Sequence, residues 1–154
     1  MRALLQRVNR ARVTSGGRLL GEIEGGLLVL LSIGREDTPS VFPKMADKIL
    51  NLRVFEDSEG KMNRSVVEMG GGLLLVSQFT LHADCRRGRR PGFTEAAPPE
   101  AARGLFDQFV GHLRGLYSGR IATGEFGAMM DVELVNAGPV TIWLDSADLV
   151  GERT

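Results

Sequence analysis

Hydrophobic positions along this chain recur mostly with a period of two, in short runs cut by glycine. "ALLQRVNRARV" (3–13) and "RLLGEIE" (18–24) alternate apolar and polar residues on either side of Gly16-Gly17, which predicts a β-hairpin. "LLVLLSI" (27–33) is apolar on both faces and predicts a buried central strand. "GGLLLVSQFTLHAD" (71–84) predicts another strand, hydrophobic on both faces at first and polar from Ser77-Gln78 onward. "ELVNAGPVTIWLDS" (133–146) alternates on both sides of Gly138-Pro139. Proline donates nothing to a ladder and glycine packs nothing, so this pair marks an edge, a bulge or a close backbone approach.

The period changes in two places. In "DTPSVFPKMADKILNLR", Thr38 reads as an N-cap and Pro39 as the first helical residue, with Phe42, Met45, Ile49 and Leu52 at helical intervals. "PPEAARGLFDQFVGHLRGLY" places Ala102, Leu105, Phe106, Phe109, Leu113 and Leu116 on one stripe. Such stripes pack against a core. Two helices therefore stand among many strands, and the turn "SEGK" followed by "KMNRSV" leads back into strand.

Bulk properties narrow the classes. A chain of 154 residues makes one domain of ordinary size, expected over 1–154. Nineteen basic and nineteen acidic residues cancel, so contact with nucleic acid has to be local. No run reaches the ~18 apolar residues that span a bilayer, and the arginine-bearing N-terminal segment does not read as an export signal. With Cys85 the single cysteine, no internal disulfide forms and the cytoplasm is the expected compartment.

A buried strand whose end turns polar is a common way to mount a site on a rigid scaffold, so chemistry is expected at Ser77, Gln78, Phe79 and Thr80. Either hydroxyl would need an adjacent base to act as nucleophile, and none is near in sequence. The hydroxyls read better as binding or backbone-satisfying groups, with backbone amides there as donors to a developing oxyanion. His82 reads as an outward edge residue and His112 as a surface residue of the second helix. Cys85, three residues past His82, lacks the further ligands of a zinc site, so no metal is expected. Gly70-Gly71-Gly72 lacks the Lys-Ser/Thr of a phosphate loop and reads as a turn. In "CRRGRRPGF" (85–93), Arg86, Arg87, Arg89 and Arg90 form a basic cluster, either a solvated loop or a phosphate contact.

"SQFTLHA" (77–83) and "NAGPVT" (136–141) resemble the two signature motifs of the D-aminoacyl-tRNA deacylase family, the chiral proofreading enzymes. "MRALLQRVNRARVT", "KILNLRVFEDSEGKMNRSV", "GRRPGF" and "GEFGAMMDVELVNAGPVTIWLDS" follow that family's order and spacing over nearly the whole chain. One departure is Gly92, where the family's loop reads serine.

The resemblance implies hydrolysis of the ester between a D-amino acid and the 3′ end of tRNA, and action on glycyl-tRNA as well, since glycine offers no side chain to reject. By motif, Ser77, Gln78, Phe79 and Thr80 line the catalytic pocket. Gly138 and Pro139 match the cis Gly-Pro element that screens chirality by projecting into the partner subunit's pocket, so a homodimer is implied. The implied route is RNA-assisted, with the terminal 2′-hydroxyl helping to activate water. Partners expected are tRNA and a second copy of the chain, with no DNA, no membrane and no cofactor, and with Arg86, Arg87, Arg89 and Arg90 on the RNA. The fold expected is α+β: one domain of mainly antiparallel, barrel-like sheet with two packed helices. Two alternatives stay open, a non-catalytic RNA-binding module and a general esterase using Thr80 or Cys85. The first is disfavoured by the 6% aromatic content, placed mostly at apolar core positions.

Overall fold

The computed structural model describes residues 1–149; the expected domain limit at Thr154 lies outside them. Strand β1 (Arg2–Ser15) turns through Gly16 and Gly17, at φ 57° and 77°, into β2 (Arg18–Ile23), the hairpin that the alternation predicts. Past a break at Glu24-Gly25 the chain continues as β3 (Gly26–Ser32). β2 and β3 thus lie end to end along β1 and antiparallel to it, with Ala11 facing Ile23 and Leu5 facing Val29. Thr38 caps a 3₁₀ turn at Pro39–Val41, and helix α1 (Phe42–Asn51) begins only after it, later than the sequence pattern placed it.

The strands β4 (Phe55–Glu56) and β5 (Met62–Arg64) form a small separate hairpin, closed where the Asp57 carboxylate accepts from the amides of Glu59 and Lys61. A short helix α2 (Val66–Met69) follows, set by the reciprocal cap between Ser65 and Glu68 rather than by periodicity. β6 (Gly72–Ser77) runs parallel to β3, and β7 (Ile121–Thr123) parallel to β6, with the long helix α3 (Pro99–Leu116) between them in sequence. β8 (Asp131–Asp145) then returns antiparallel to β1 along its length, from Thr14 opposite Asp131 to Arg2 opposite Asp145. A side chain at Gly21 of β2 would lie 2.7 Å from the Thr123 carbonyl of β7, so the sheet nearly closes on itself. The ladders on β1 are antiparallel and those on β6 parallel, giving a mixed, barrel-like sheet in one α+β domain.

β3 and β6 are buried on both faces because each face has its own core. Leu27, Val29, Leu31, Leu73 and Leu75 pack under the helices with Met45, Ile49 and Leu113, where Phe42 and Phe109 meet edge to face at 5.3 Å. Leu28, Leu74 and Val76 fill the barrel interior with Val8, Val13 and Ile23. Each fully buried leucine contributes ~1.5–3 kcal/mol. Leu116, expected on the buried stripe, is exposed at the last residue of α3.

Candidate active site at the ends of the parallel strands

β3, β6 and β7 point the same way, so their carboxyl ends at Ser32, Ser77 and Thr123 share one rim, where ligand sites of parallel sheets are found. The strand expected to run to Asp84 stops at Ser77. Gln78 donates its amide to the Leu31 carbonyl (2.8 Å), and Phe79–His82 form a 3₁₀ turn. Ser32 Oγ donates to the Phe79 carbonyl (3.2 Å), and Arg2 Nη1 donates to the Leu81 carbonyl (2.9 Å). Gln78 Nε2 donates to Thr80 Oγ1 (2.5 Å). The turn is therefore held from several sides while Phe79 and Thr80 face solvent. A 3₁₀ turn leaves its leading amides without internal acceptors, which here are those of Phe79 and Thr80.

His82 corrects the sequence reading: it is buried, with Nδ1 2.6 Å from Ser32 Oγ. Ser32 Oγ thus stands between the Phe79 carbonyl and the imidazole, and the His82 tautomer decides which atom of the Ser32–His82 pair carries the proton. Burial pushes its pKa below the ordinary value; the Arg2 guanidinium and the Met1 ammonium act the same way, against the carboxylates of Asp37 and Asp145. The imidazole is bonded to Ser32, not to Thr80, whose hydroxyl is bonded to an amide. Among the described residues, no His, Asp or Glu is hydrogen-bonded to Thr80. Among the described residues no cluster of His, Cys, Asp and Glu could hold a metal ion.

Directly after the turn, Asp84 and Gly92 exchange backbone hydrogen bonds (2.7 and 2.9 Å) and pinch off the arginine loop. Arg86 Nε and Nη2 both donate to the Asp84 carboxylate (2.8 Å each), which holds that carboxyl far below its usual range and raises the guanidinium pKa in turn. Arg86 is thus paired within the loop, and it, Arg87, Arg89 and Arg90 are all exposed. A hollow of about 540 Å³ is lined by Asp84, Arg86, Arg87, Arg90 and Gly92. A Cβ on Gly92 would have Asp84 O as its neighbour at 3.9 Å, so the serine of the family pattern would fit there. Cys85 is exposed.

Gly138-Pro139 sits in a bulge. Gln6 pairs with Thr141 and Val8 with Asn136, so Ala137–Val140 loop out opposite Arg7 alone. The Gly138-Pro139 peptide is cis, and Gly138 has φ 113°. Arg7 Nε donates to the Ala137 carbonyl (3.1 Å) and Nη1 to that of Val54 (2.8 Å), with Glu56 at 4.0 Å from Nη2. With its side-chain amide turned to face donors to acceptors, Asn136 donates to the carbonyls of Arg7 (3.0 Å) and Val140 (3.1 Å) and accepts from Thr141 Oγ1 (3.1 Å). The bulge is a fixed structure whose mouth is tied by the first and last residues of "NAGPVT". Arg7 shares the parity of buried Ala3 and Leu5 on β1, whereas Arg2, Arg10 and Arg12 have the other parity; an arginine on the apolar face was the signal the sequence offered.

Residues 4–145 match the sequence profile of the family described as D-Tyr-tRNA(Tyr) deacylase, a span that takes in both the turn and the bulge. The chain belongs to that family. It is 53% identical over 146 residues to a D-aminoacyl-tRNA deacylase of Thermosipho melanesiensis, covering 95% of this chain and 97% of the relative. Against the D-aminoacyl-tRNA deacylase of Chlorobaculum parvum the figures are 58%, 95% and 98%. Among solved structures, the c-Myc DNA unwinding element binding protein superposes with a TM-score of 0.90 at 46% identity, covering 94% and 98% of the two chains. A probable eukaryotic D-amino acid tRNA deacylase shares the fold, with TM-score 0.78 at 17% identity over 93% of this chain and 97% of that one.

Within this deacylase-family chain, Ser77, Gln78, Phe79 and Thr80 lie together at the end of β6 and on its turn, and the arginine loop follows directly. Gly138 and Pro139 are not brought to that site. Arg2, which holds the turn, and Arg7, which holds the bulge, are five positions apart on β1, roughly 17 Å along a strand.

Proposed function

We propose that this protein hydrolyses the ester joining a D-amino acid to the 3′ end of tRNA, releasing free tRNA and the D-amino acid in the cytoplasm. The observation that supports this reading is the Gln78–Ala83 turn, whose Phe79 and Thr80 amides open on the rim with no activated side chain beside them. A water adds to the ester carbonyl, the developing oxyanion accepts from those amides, and the 3′-oxygen leaves with a proton. The terminal 2′-hydroxyl helps to activate the water, because among the described residues no side-chain base is bonded to Thr80 at the turn. Glycyl-tRNA is cleaved too, having no side chain to reject, and no cofactor takes part.

Gly138 and Pro139 screen chirality from the partner subunit of a homodimer. Three features support this: the bulge is remote from its own turn, β8 has no strand on its outer edge among the described residues, and Trp143 and Met129 are exposed nearby in sequence. The tRNA lies across Arg87, Arg89 and Arg90, with Arg86 shaping the loop, and DNA is not a partner. The test uses D-aminoacyl-tRNA with hydrogen in place of the terminal 2′-hydroxyl, beside the Thr80→Ala variant. The variant keeps substantial activity and the modified RNA loses most of it; the reverse result returns Thr80 as nucleophile. Competition with duplex DNA leaves the rate on tRNA unchanged.

A further inference from the structure

Phe79 and Phe93 stand on the surface, 56% and 37% exposed, although aromatic residues were expected in the core. Their ring centroids are 5.0 Å apart with the planes at 66°, an edge-to-face pair that leaves an open aromatic notch. Phe79 belongs to the turn that carries Thr80, and Phe93 directly follows Gly92, the foot of the arginine loop. The hollow lined by Arg86, Arg87 and Arg90 adjoins Phe93 through Gly92. The Asp84 carboxylate in that hollow is covered by Arg86, so its charge is not directed at an incoming anion. An apolar stacking face next to a guanidinium-lined hollow is complementary to one unpaired nucleotide, base on the rings and phosphate among the arginines.

We propose that Phe93, with the edge of Phe79, is a stacking subsite for the unpaired nucleotide that precedes the terminal adenosine of the RNA, its phosphate held by Arg87 and Arg90. The inference rests on the deacylase reading, which sets the terminal adenosine at the turn. A base-paired nucleotide is excluded, because its faces are already stacked. Phe93 touches the RNA one nucleotide away from the scissile ester, so it governs binding and leaves the chemical step alone.

The experiment compares Phe93→Leu and Phe93→Tyr in the full chain on D-aminoacyl-tRNA and on D-aminoacyl-adenosine, which lacks the preceding nucleotide. Phe93→Leu raises KM for the tRNA substrate about tenfold with kcat unchanged and leaves kcat/KM for the adenosine ester untouched, while Phe93→Tyr behaves as the parent protein. An equal loss on both substrates shows that Phe93 only props Phe79, and no loss on either shows that it binds nothing; both overturn the proposal. A parent protein that cleaves neither substrate removes the deacylase reading instead. The subsite is then decided by anisotropy with a 5′-labelled RNA trinucleotide ending in C-C-A: about tenfold weaker binding by Phe93→Leu supports it, and equal binding overturns it.

Discussion

Replacing Gly138 by alanine tests whether the bulge is held by Arg7. The added methyl collides with the Arg7 guanidinium and comes within 3.1 Å of Val140 Cγ2, at a φ of +113° that a side chain rarely adopts. The backbone conformation costs ~1–3 kcal/mol. Displacing the guanidinium costs at least one of its charge-assisted bonds, to Ala137 at 3.1 Å or Val54 at 2.8 Å, another ~1.5–3 kcal/mol. The expected loss is about 4 kcal/mol, within the ~5–15 kcal/mol of an ordinary domain, so the variant folds with Tm lowered by roughly 8–16 °C and loses D-substrate cleavage. In an Arg7→Ala background there is nothing to collide with, and only the backbone cost remains. Urea denaturation of the four proteins of this cycle gives a coupling of about 1.5–3 kcal/mol. Penalties additive within ~0.5 kcal/mol would refute the argument, since the methyl would then act independently of Arg7.

Other expectations follow from the site and its surroundings. Reversing the charge of Arg86, Arg87, Arg89 and Arg90 together raises KM for tRNA and flattens its salt dependence; singly, Arg87→Ala and Arg90→Ala each reduce the slope of log KM against log salt by ~0.7–0.9, whereas Arg86→Ala, removing a guanidinium already paired with Asp84, changes it far less. With the folded-state pKa of His82 below 6.5, the unfolded chain binds more protons as pH falls past that value, so stability present above pH 6.5 is lost below it, and His82→Gln flattens urea midpoints measured from about pH 7 to about pH 5. Tyr117→Phe removes the 2.7 Å bond to the Gly71 carbonyl and costs ~1 kcal/mol, or ~2–4 °C in Tm, with deacylation unchanged because Gly71 lies at the opposite end of β6 from Ser77.

Strand positions were legible wherever one pattern ran long enough: the alternation of β1 and β2 and the unbroken apolar run of β3 survive into the fold. The parallel pairing of β3 with β6 was not legible, since a strand buried on both faces reads alike in either direction. Past Ser77 the polar residues suggested a strand continuing at an edge, but the chain turns because Ser32, Arg2 and Leu31 capture its backbone, contacts 47 to 79 residues away in sequence that no local pattern records. His82 was misplaced for the same reason: its parity as a strand residue pointed outward, and the turn rotates it in. Among the arginines the sequence could not separate Arg86 from its neighbours, although Asp84, two residues before it, was the available sign of a committed pair. The bulge at Gly138-Pro139 was foreseen as a possibility, its anchor Arg7 was not.

The pairing of β1 with β8 also sets an order of events during synthesis. Roughly 115 residues separate the end of β1 at Ser15 from the start of β8 at Asp131, so at ~5–20 residues per second the first strand waits roughly six to twenty seconds for its partner to be translated. Arg7 meets the carbonyl it is to hold on Ala137 only then. The Gln78–Ala83 turn draws its contacts from β1 and β3 alone, whereas the bulge needs β8. Until β8 pairs with it, β1 keeps an open strand edge.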